Sequence, residues 1–355
     1  MRTACGSQGG HRGGGIVVVK LIVIVATGVV VYFAIALILI ASSTPPSGPL
    51  EDGGKQGLDF TGTRGDYSDL PEQITFTARD GTALPYRRYE GTAANGRFVV
   101  LVHGSGWHGM QFHAMAKKLA ADGLGTIIVP DMRGHGEAPA TRGDVDHIGQ
   151  LEEDMADLID ELQRQAGGPA QVVLGGHSSG GGFVVRFAGG AYGDRADAFI
   201  LMAPFLKYDA PTTRPNSGGW ARPATRRIIG LTMLNAVGIT ALNHLPVISF
   251  AMPQEVLDGP YGHTATTSYT YAMTTSFAPR PDFGSDLAAI DEPFLLVGGA
   301  ADEAFLAERY EETISPHAPG GTYVILPSVS HLGVVSDPGA IAAVEAFLSE
   351  LPAAR

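Results

Sequence analysis

The sequence predicts an α/β fold with a mostly parallel sheet covered by helices, and three observations carry that expectation. Short apolar runs alternate with segments of helical periodicity from residue 98 onward, the pattern of successive βαβ units. The pentapeptide Gly176-His177-Ser178-Ser179-Gly180 stands where one such run gives way to a helical segment. An acid, Asp302, and a histidine, His331, then follow two later strand-like runs. Open α/β sheets place their sites beyond the carboxyl ends of their strands.

The elements follow in order. Residues 74–78 and 85–90 read as an opening hairpin joined by Arg79-Asp80-Gly81-Thr82. Strand 98–102 leads to a helix over 110–122 and a strand over 126–129. A helix over 150–165 repeats Leu151, Met155, Leu158, Ile159 and Leu162 at helical spacing. Strand 172–174, the helix after the pentapeptide and strand 198–202 come next. Strands over 293–298 and 321–327 precede a last helix, 339–348, with Ile341, Val344 and Phe347 on one face. No internal repeat and no second globular domain is visible.

A G-x-S-x-G at a strand-to-helix junction forms a turn so sharp that the serine is pushed out of the backbone. Its glycines are needed where side chains would strike the adjoining strand and helix. Ser178 is therefore the candidate nucleophile. A serine hydroxyl is a weak nucleophile at neutral pH, so His331 is expected to take its proton and pass it to the leaving group. Asp302 would orient the imidazole and stabilise the imidazolium. The blander reading has Asp302 capping a helix over 303–310, with Asp286 and Asp291 as fallback acids.

Acyl transfer also needs backbone N–H groups aimed at the developing oxyanion. Ser179, the residue after the nucleophile, is expected to supply one. Ser105, in the segment His103-Gly104-Ser105-Gly106-Trp107 after strand 98–102, is expected to supply the other, with Gly106 next in line. Trp107 is expected to touch substrate, and His103 and His177 to brace their loops. The 11 histidines carry no H-E-x-x-H and no cysteine pairing, and neither a P-loop nor a dinucleotide fingerprint occurs. No metal and no cofactor is expected.

Taken together, His103-Gly104, Asp131-Met132-Arg133-Gly134-His135-Gly136, the pentapeptide, the segment 298–302 and Ser330-His331 resemble the α/β-hydrolase superfamily. Within it the chain is most similar to the lysophospholipase, monoacylglycerol lipase and serine aminopeptidase-like branch, over roughly residues 72–350. The resemblance implies an eight-stranded, mostly parallel sheet with a helical cap or lid at about 205–285. Such a cap would exclude water and wall an acyl pocket. Its apolar content, including Ile229, Leu231, Met233, Leu234, Val247, Ile248 and Phe250, favours an apolar substrate group, although the same side chains could simply cement the cap to the body.

The amino terminus reads differently. Residues 21–41 carry no charge and would make a helix of about 31 Å, enough to cross a bilayer core. The expected organisation is a cytoplasmic tail over 1–15, an uncleaved anchor over 16–41, a flexible linker over 42–70 and a catalytic domain over 71–355. Arg2, Arg12 and Lys20 precede the uncharged run 21–41, and Glu51 and Asp52 follow it. The positive-inside rule then leaves the tail in the cytoplasm and the domain outside, in the periplasm of a bacterium. The apolar passage 228–252 cannot also span, because Ser178 and His331 would fall on opposite sides.

A net charge of −12 without a basic stripe argues against nucleic acid. Cys5 is the only cysteine, which rules out an intrachain disulfide. The expected activity is hydrolysis of a small-molecule or lipid-like carboxylic ester through an acyl-serine intermediate. A serine aminopeptidase acting on an amide and an acyltransferase remain open. So does a catalytically silent, membrane-tethered binding protein.

Overall fold

The computed structural model describes residues 12–46, 48, 57–60, 65–91 and 96–352. Arg2, Cys5 and the acidic pair Glu51 and Asp52 lie outside them. Helix α1 (Arg12–Ala41) opens the chain. Among the described residues, Val18–Ala41 is the one helical stretch long and apolar enough to cross a membrane.

The body begins with the antiparallel hairpin β1 (Gln73–Thr77) and β2 (Ala83–Tyr89). It continues through β3 (Arg97–Val102), α2 (His113–Ala121), β4 (Thr126–Pro130) and α3 (Gln150–Ala166). Then come β5 (Gln171–His177), α4 (Ser179–Ala188) and β6 (Ala198–Met202). An insertion holds β7 (Ala221–Pro223), α5 (Thr225–Ala236), β8 (Pro246–Phe250), α6 (Gln254–Leu257), β9 (Ser268–Thr270), α7 (Tyr271–Phe277) and α8 (Phe283–Ala288). The body closes with β10 (Phe294–Gly299), α9 (Tyr310–Ile314), β11 (Gly321–Leu326) and α10 (Pro338–Glu350).

Among the described residues, eight strands form one sheet in the order β1-β2-β4-β3-β5-β6-β10-β11, parallel from β4 to β11. Strands β3, β6 and β10 are buried along their whole length. Strands covered on both faces need near-continuous apolar runs, and that is how these read in the sequence. The register pairs Val102 with Gly176 and His177 with Met202, so the central strands end at one level. His103, Ser178 and the loops holding Asp302 and His331 all leave the sheet from that edge.

Two elements differ from those expected. The helix expected over 110–122 is a 3-10 turn, Gly109–Phe112, followed by α2. It stops at Ala121 because Gly123, at φ +73°, closes a left-handed cap in which Leu124 N–H donates to Leu119 O. The insertion has the expected helices and also a three-stranded antiparallel sheet, β7-β8-β9. The apolar passage 228–252 is thus divided between α5 and β8.

The chain forms two compact units. One joins the N-terminal segment through Thr44 to Ala224–Leu242, hence α1 to α5; the other holds Pro45–Pro223 and Asn243–Arg355.

Candidate active site

Ser178 sits at φ 55°, ψ −120°, a backbone state that a residue with a side chain holds only when its surroundings enforce it. A Cβ on Gly176 would strike the Gly180 carbonyl, and one on Gly180 the carbonyls of Val102 and His103. The turn is also fixed by three backbone hydrogen bonds: Ser178 N–H to Met202 O at 2.9 Å, and Phe205 and Gly182 N–H to Ser178 O at 2.9 and 3.0 Å.

The Ser178 Oγ lies 2.9 Å from His331 Nε2, and His331 Nδ1 lies 2.8 Å from Asp302 Oδ2. All three side chains are buried. The other carboxylate oxygen, Asp302 Oδ1, accepts the amides of Ala304 at 2.7 Å and Phe305 at 2.8 Å. Asp302 thus caps a turn with one oxygen and faces the imidazole with the other. The helix expected over 303–310 is not there; a 3-10 turn, Ala307–Arg309, runs into α9 instead. His331 is held from both sides of its peptide: its N–H donates to Glu303 Oε2 at 3.0 Å, and its carbonyl accepts His177 Nε2 at 3.0 Å. Asp286 is engaged elsewhere, paired with Arg280 at 2.7 Å.

The Ser105 and Ser179 amides have no protein acceptor among the described residues. The Gly106 amide does: it donates to Tyr269 Oη at 3.0 Å, which removes it as the reserve donor. The insertion clamps this loop at two further points. Trp220 Nε1 donates to Ser105 Oγ at 3.1 Å, and Thr266 N–H to Gly106 O at 3.0 Å. Gly106 is at φ +83°, and a Cβ there would come within 2.9 Å of the Trp220 ring.

The histidines expected to brace do so with defined tautomers. His103 Nε2 accepts the Met132 amide at 3.1 Å, so its Nδ1–H donates to Gly104 O at 2.8 Å. Burial lowers its pKa to about 4. Burial, and then the neighbouring His331, hold His177 well below its ordinary value. His135 is lowered likewise, by burial and then by His103. Because Tyr269 Oη accepts from Gly106, its proton goes to His135 Nε2 at 2.6 Å, and His135 Nδ1–H reaches Arg133 O at 3.0 Å. The Asp-x-Arg-Gly-His-Gly segment therefore supports the Ser105–Gly106 loop through Tyr269. In the same segment burial pushes the Asp131 carboxyl up, but His108, together with the charges of His103 and Arg87, more than reverses this, leaving it at about 2.

A small cavity of about 30 Å³ opens on Ser178, with room for a water or two. Trp107, expected at the substrate, lines it, and its indole Nε1 is buried without a hydrogen-bond partner among the described residues. Leu58, Phe60, Trp220, Met252 and Val256, none of them part of a sequence motif, complete the apolar wall together with Leu332 and Val335 beside His331. Leu58 and Phe60 come from the expected linker, and Phe60 packs on Trp220 at 5.7 Å between ring centres. No sequence signal marks these residues beyond their apolar character, since they meet Ser178 only through the fold.

This architecture has known counterparts. The chain is 32% identical over 106 residues to a monoacylglycerol lipase of Mycolicibacterium smegmatis, a match covering 30% of this chain and 37% of that protein. It is 25% identical over 169 residues to the monoglyceride lipase of Homo sapiens, covering 48% and 52%. The chain spans about a third to a half of the length of the curated relatives it matches. The solved structure of a soluble variant of monoglyceride lipase from Saccharomyces cerevisiae superposes with a TM-score of 0.58 over 79% of this chain and 96% of that one. Its 16% identity makes that a likeness of fold. The family model described as serine aminopeptidase, S33 matches residues 94–331, which takes in Ser105, Ser178, Asp302 and His331. The chain belongs to that family, on the monoacylglycerol lipase-like branch of the α/β-hydrolase superfamily.

Proposed function

We propose that this protein is a membrane-anchored serine hydrolase that cleaves carboxylic esters carrying an apolar acyl group. The observation that carries this reading is the unbroken chain Asp302–His331–Ser178, ending at an apolar cavity. Ser178 Oγ attacks the ester carbonyl while its proton passes to His331 Nε2, and Asp302 Oδ2 stabilises the imidazolium. The oxyanion is received by the Ser179 and Ser105 amides. Collapse of the tetrahedral intermediate breaks the ester C–O bond, and His331 returns the proton to the departing alcohol. Water, deprotonated by the same nitrogen, then attacks the acyl-serine; its collapse releases the acid and restores the serine hydroxyl.

The lining favours an ester over the amine-bearing substrate of an aminopeptidase. Among the described residues none of those around the cavity is Asp or Glu, so a substrate ammonium would find no partner there. The cavity holds no more than the end of a substrate beside Ser178, and Leu58, Phe60 and Val256 are the side chains an acyl chain would meet. Helix α1 serves in this reading as the anchor, with the tail over 1–15 in the cytoplasm and the catalytic domain outside.

The test is hydrolysis of esters of graded acyl length by the full chain in detergent, beside Ser178→Ala. The variant should lose about 10⁴–10⁶-fold in kcat. Equal turnover by both proteins would refute the assignment.

A further inference from the structure

Helix α5 is packed on α1 within one compact unit, and the contacts give its direction. Arg227 Nε donates to Ile40 O at 3.2 Å, Gly230 lies against Ala36 and Ile40, and Tyr32 Oη donates to Met233 O at 2.6 Å. The numbers rise along α5 as they fall along α1, so the helices are antiparallel. A Cβ on Gly230 would come within 2.5 Å of the Ala36 carbonyl and 2.8 Å of Ile40 Cγ1. Backbones that close need a small residue at the crossing, which is how helices associate in lipid. Among the residues of α1 whose burial is described, Val18–Ala41, the partnered face is confined to Tyr32, Phe33, Ala36, Leu39 and Ile40.

We propose that α5 and the turn after it are embedded in the bilayer leaflet where α1 ends, as a re-entrant partner of the anchor with its outer face against acyl chains. This rests on the reading of α1 as a membrane-crossing helix. From the level of Ile40 to that of Tyr32, α5 descends about 12 Å, short of the bilayer midplane. Arg226 and Arg227 stay at headgroup level, and from Ile228 to Gln254 the chain has no Asp, Glu, Lys or Arg. The outward side chains Ile229, Val237 and Ile239 are exposed apolar residues, continuous in character with the bare face of α1.

The polar groups of α5 are arranged for a solvent that offers no hydrogen bonds. Thr232 Oγ1 donates to Ile228 O at 2.9 Å and Asn235 Nδ2 to Leu231 O at 2.8 Å, each one turn back on its own helix. The deep end is closed by backbone alone: Ile239 N–H donates to Leu234 O and Gly238 N–H to Asn235 O, both at 3.0 Å, with Gly238 at φ +79°. Arg227 in turn serves one of the terminal carbonyls of α1.

The experiment places a nitroxide on single cysteines in the full chain, with Cys5→Ser, reconstituted in phosphatidylcholine–phosphatidylglycerol vesicles. The sites are Val25→Cys on the anchor, Val237→Cys beyond α5 and Tyr208→Cys on the exposed body. Accessibility is read with oxygen, which enriches in lipid, and with a water-soluble nickel chelate. Val237 should match Val25, with nickel access about tenfold below that at Tyr208 and oxygen access higher. Water-like values at Val237 with lipid-like values at Val25 overturn the proposal alone. Water-like values at both overturn the anchor as well. Low access to both reagents at Val237 would mean a protein covers it, and also overturns the proposal. Gly230→Leu should raise nickel access at Val237 severalfold while Val25 stays unchanged; no change would show that α5 enters lipid without its partner, against the pairing.

Discussion

The candidate reacting centre and the cavity wall of this protein are built in different ways. Ser178, Asp302 and His331 stand in the turns after the parallel strands β5, β10 and β11 and are fixed there by directed hydrogen bonds, with both oxygens of the Asp302 carboxylate engaged. Most of the wall is assembled from distant segments, Leu58 and Phe60 before the first strand and Trp220, Met252 and Val256 from the insertion, which meet Leu332 and Val335 beside His331. The centre depends on hydrogen-bond direction, the wall on shape. Changes at the centre should therefore abolish chemistry without reshaping specificity, and changes in the wall should do the reverse.

The sharpest separation comes from Asp302→Asn. The amide oxygen can keep the turn at Ala304 and Phe305, but the nitrogen beside His331 favours the wrong tautomer. We expect a loss of about 10⁴-fold in kcat, with thermal unfolding nearly unchanged. A comparable fall in stability would show that the cap, rather than the orientation of His331, is what the acid supplies.

The next effect in size belongs to the supporting histidines. His103 has a folded pKa of about 4 against 6.5 ordinarily, so between those values the unfolded chain binds a proton that the folded chain refuses. Stability should be full above pH 6.5 and fall as the pH drops toward 4, by about 3 kcal/mol from this group. His135 and His177 act in the same direction. Urea midpoints at about pH 7.5, 5.5 and 4.5 would measure it; a flat profile would contradict the buried neutral tautomers.

Tyr269→Phe removes the hydroxyl shared by Gly106 and His135, leaving two buried groups unpaired. About 1–3 kcal/mol of stability should be lost, with a roughly tenfold lower kcat if the loop positions Ser105. A variant that loses stability alone would detach Tyr269 from the oxyanion loop. The smallest expected change is Phe60→Ala. Enlarging the wall should shift kcat/KM toward longer acyl chains by about tenfold, with turnover of a short activated ester unchanged, as a series of p-nitrophenyl esters would show.

The same contrast decides what could be read in advance. The pentapeptide, the acid after β10 and the histidine after β11 are legible because each is bound to a strand end by local chemistry, and the structure brings the three within hydrogen-bond distance. The parallel sheet is legible because strands buried on both faces must be apolar throughout. Local rules fail where tertiary contacts decide. Trp220 and Tyr269 meet the Ser105 loop from more than a hundred residues away. The pairing of α5 with α1 bridges nearly two hundred. The division of 228–252 into a helix and a strand turns on Gly238 and on sheet partners that no periodicity displays.

The central claim, that Ser178 is an activated nucleophile, is tested most directly by treating the full chain with a fluorophosphonate and mapping the adduct by peptide mass. A phosphonylated Ser178 is expected, absent from Ser178→Ala and much slower to form in Asp302→Asn. An unmodified Ser178 in a folded protein that still cleaves a short activated ester, or an adduct at another residue, would contradict it.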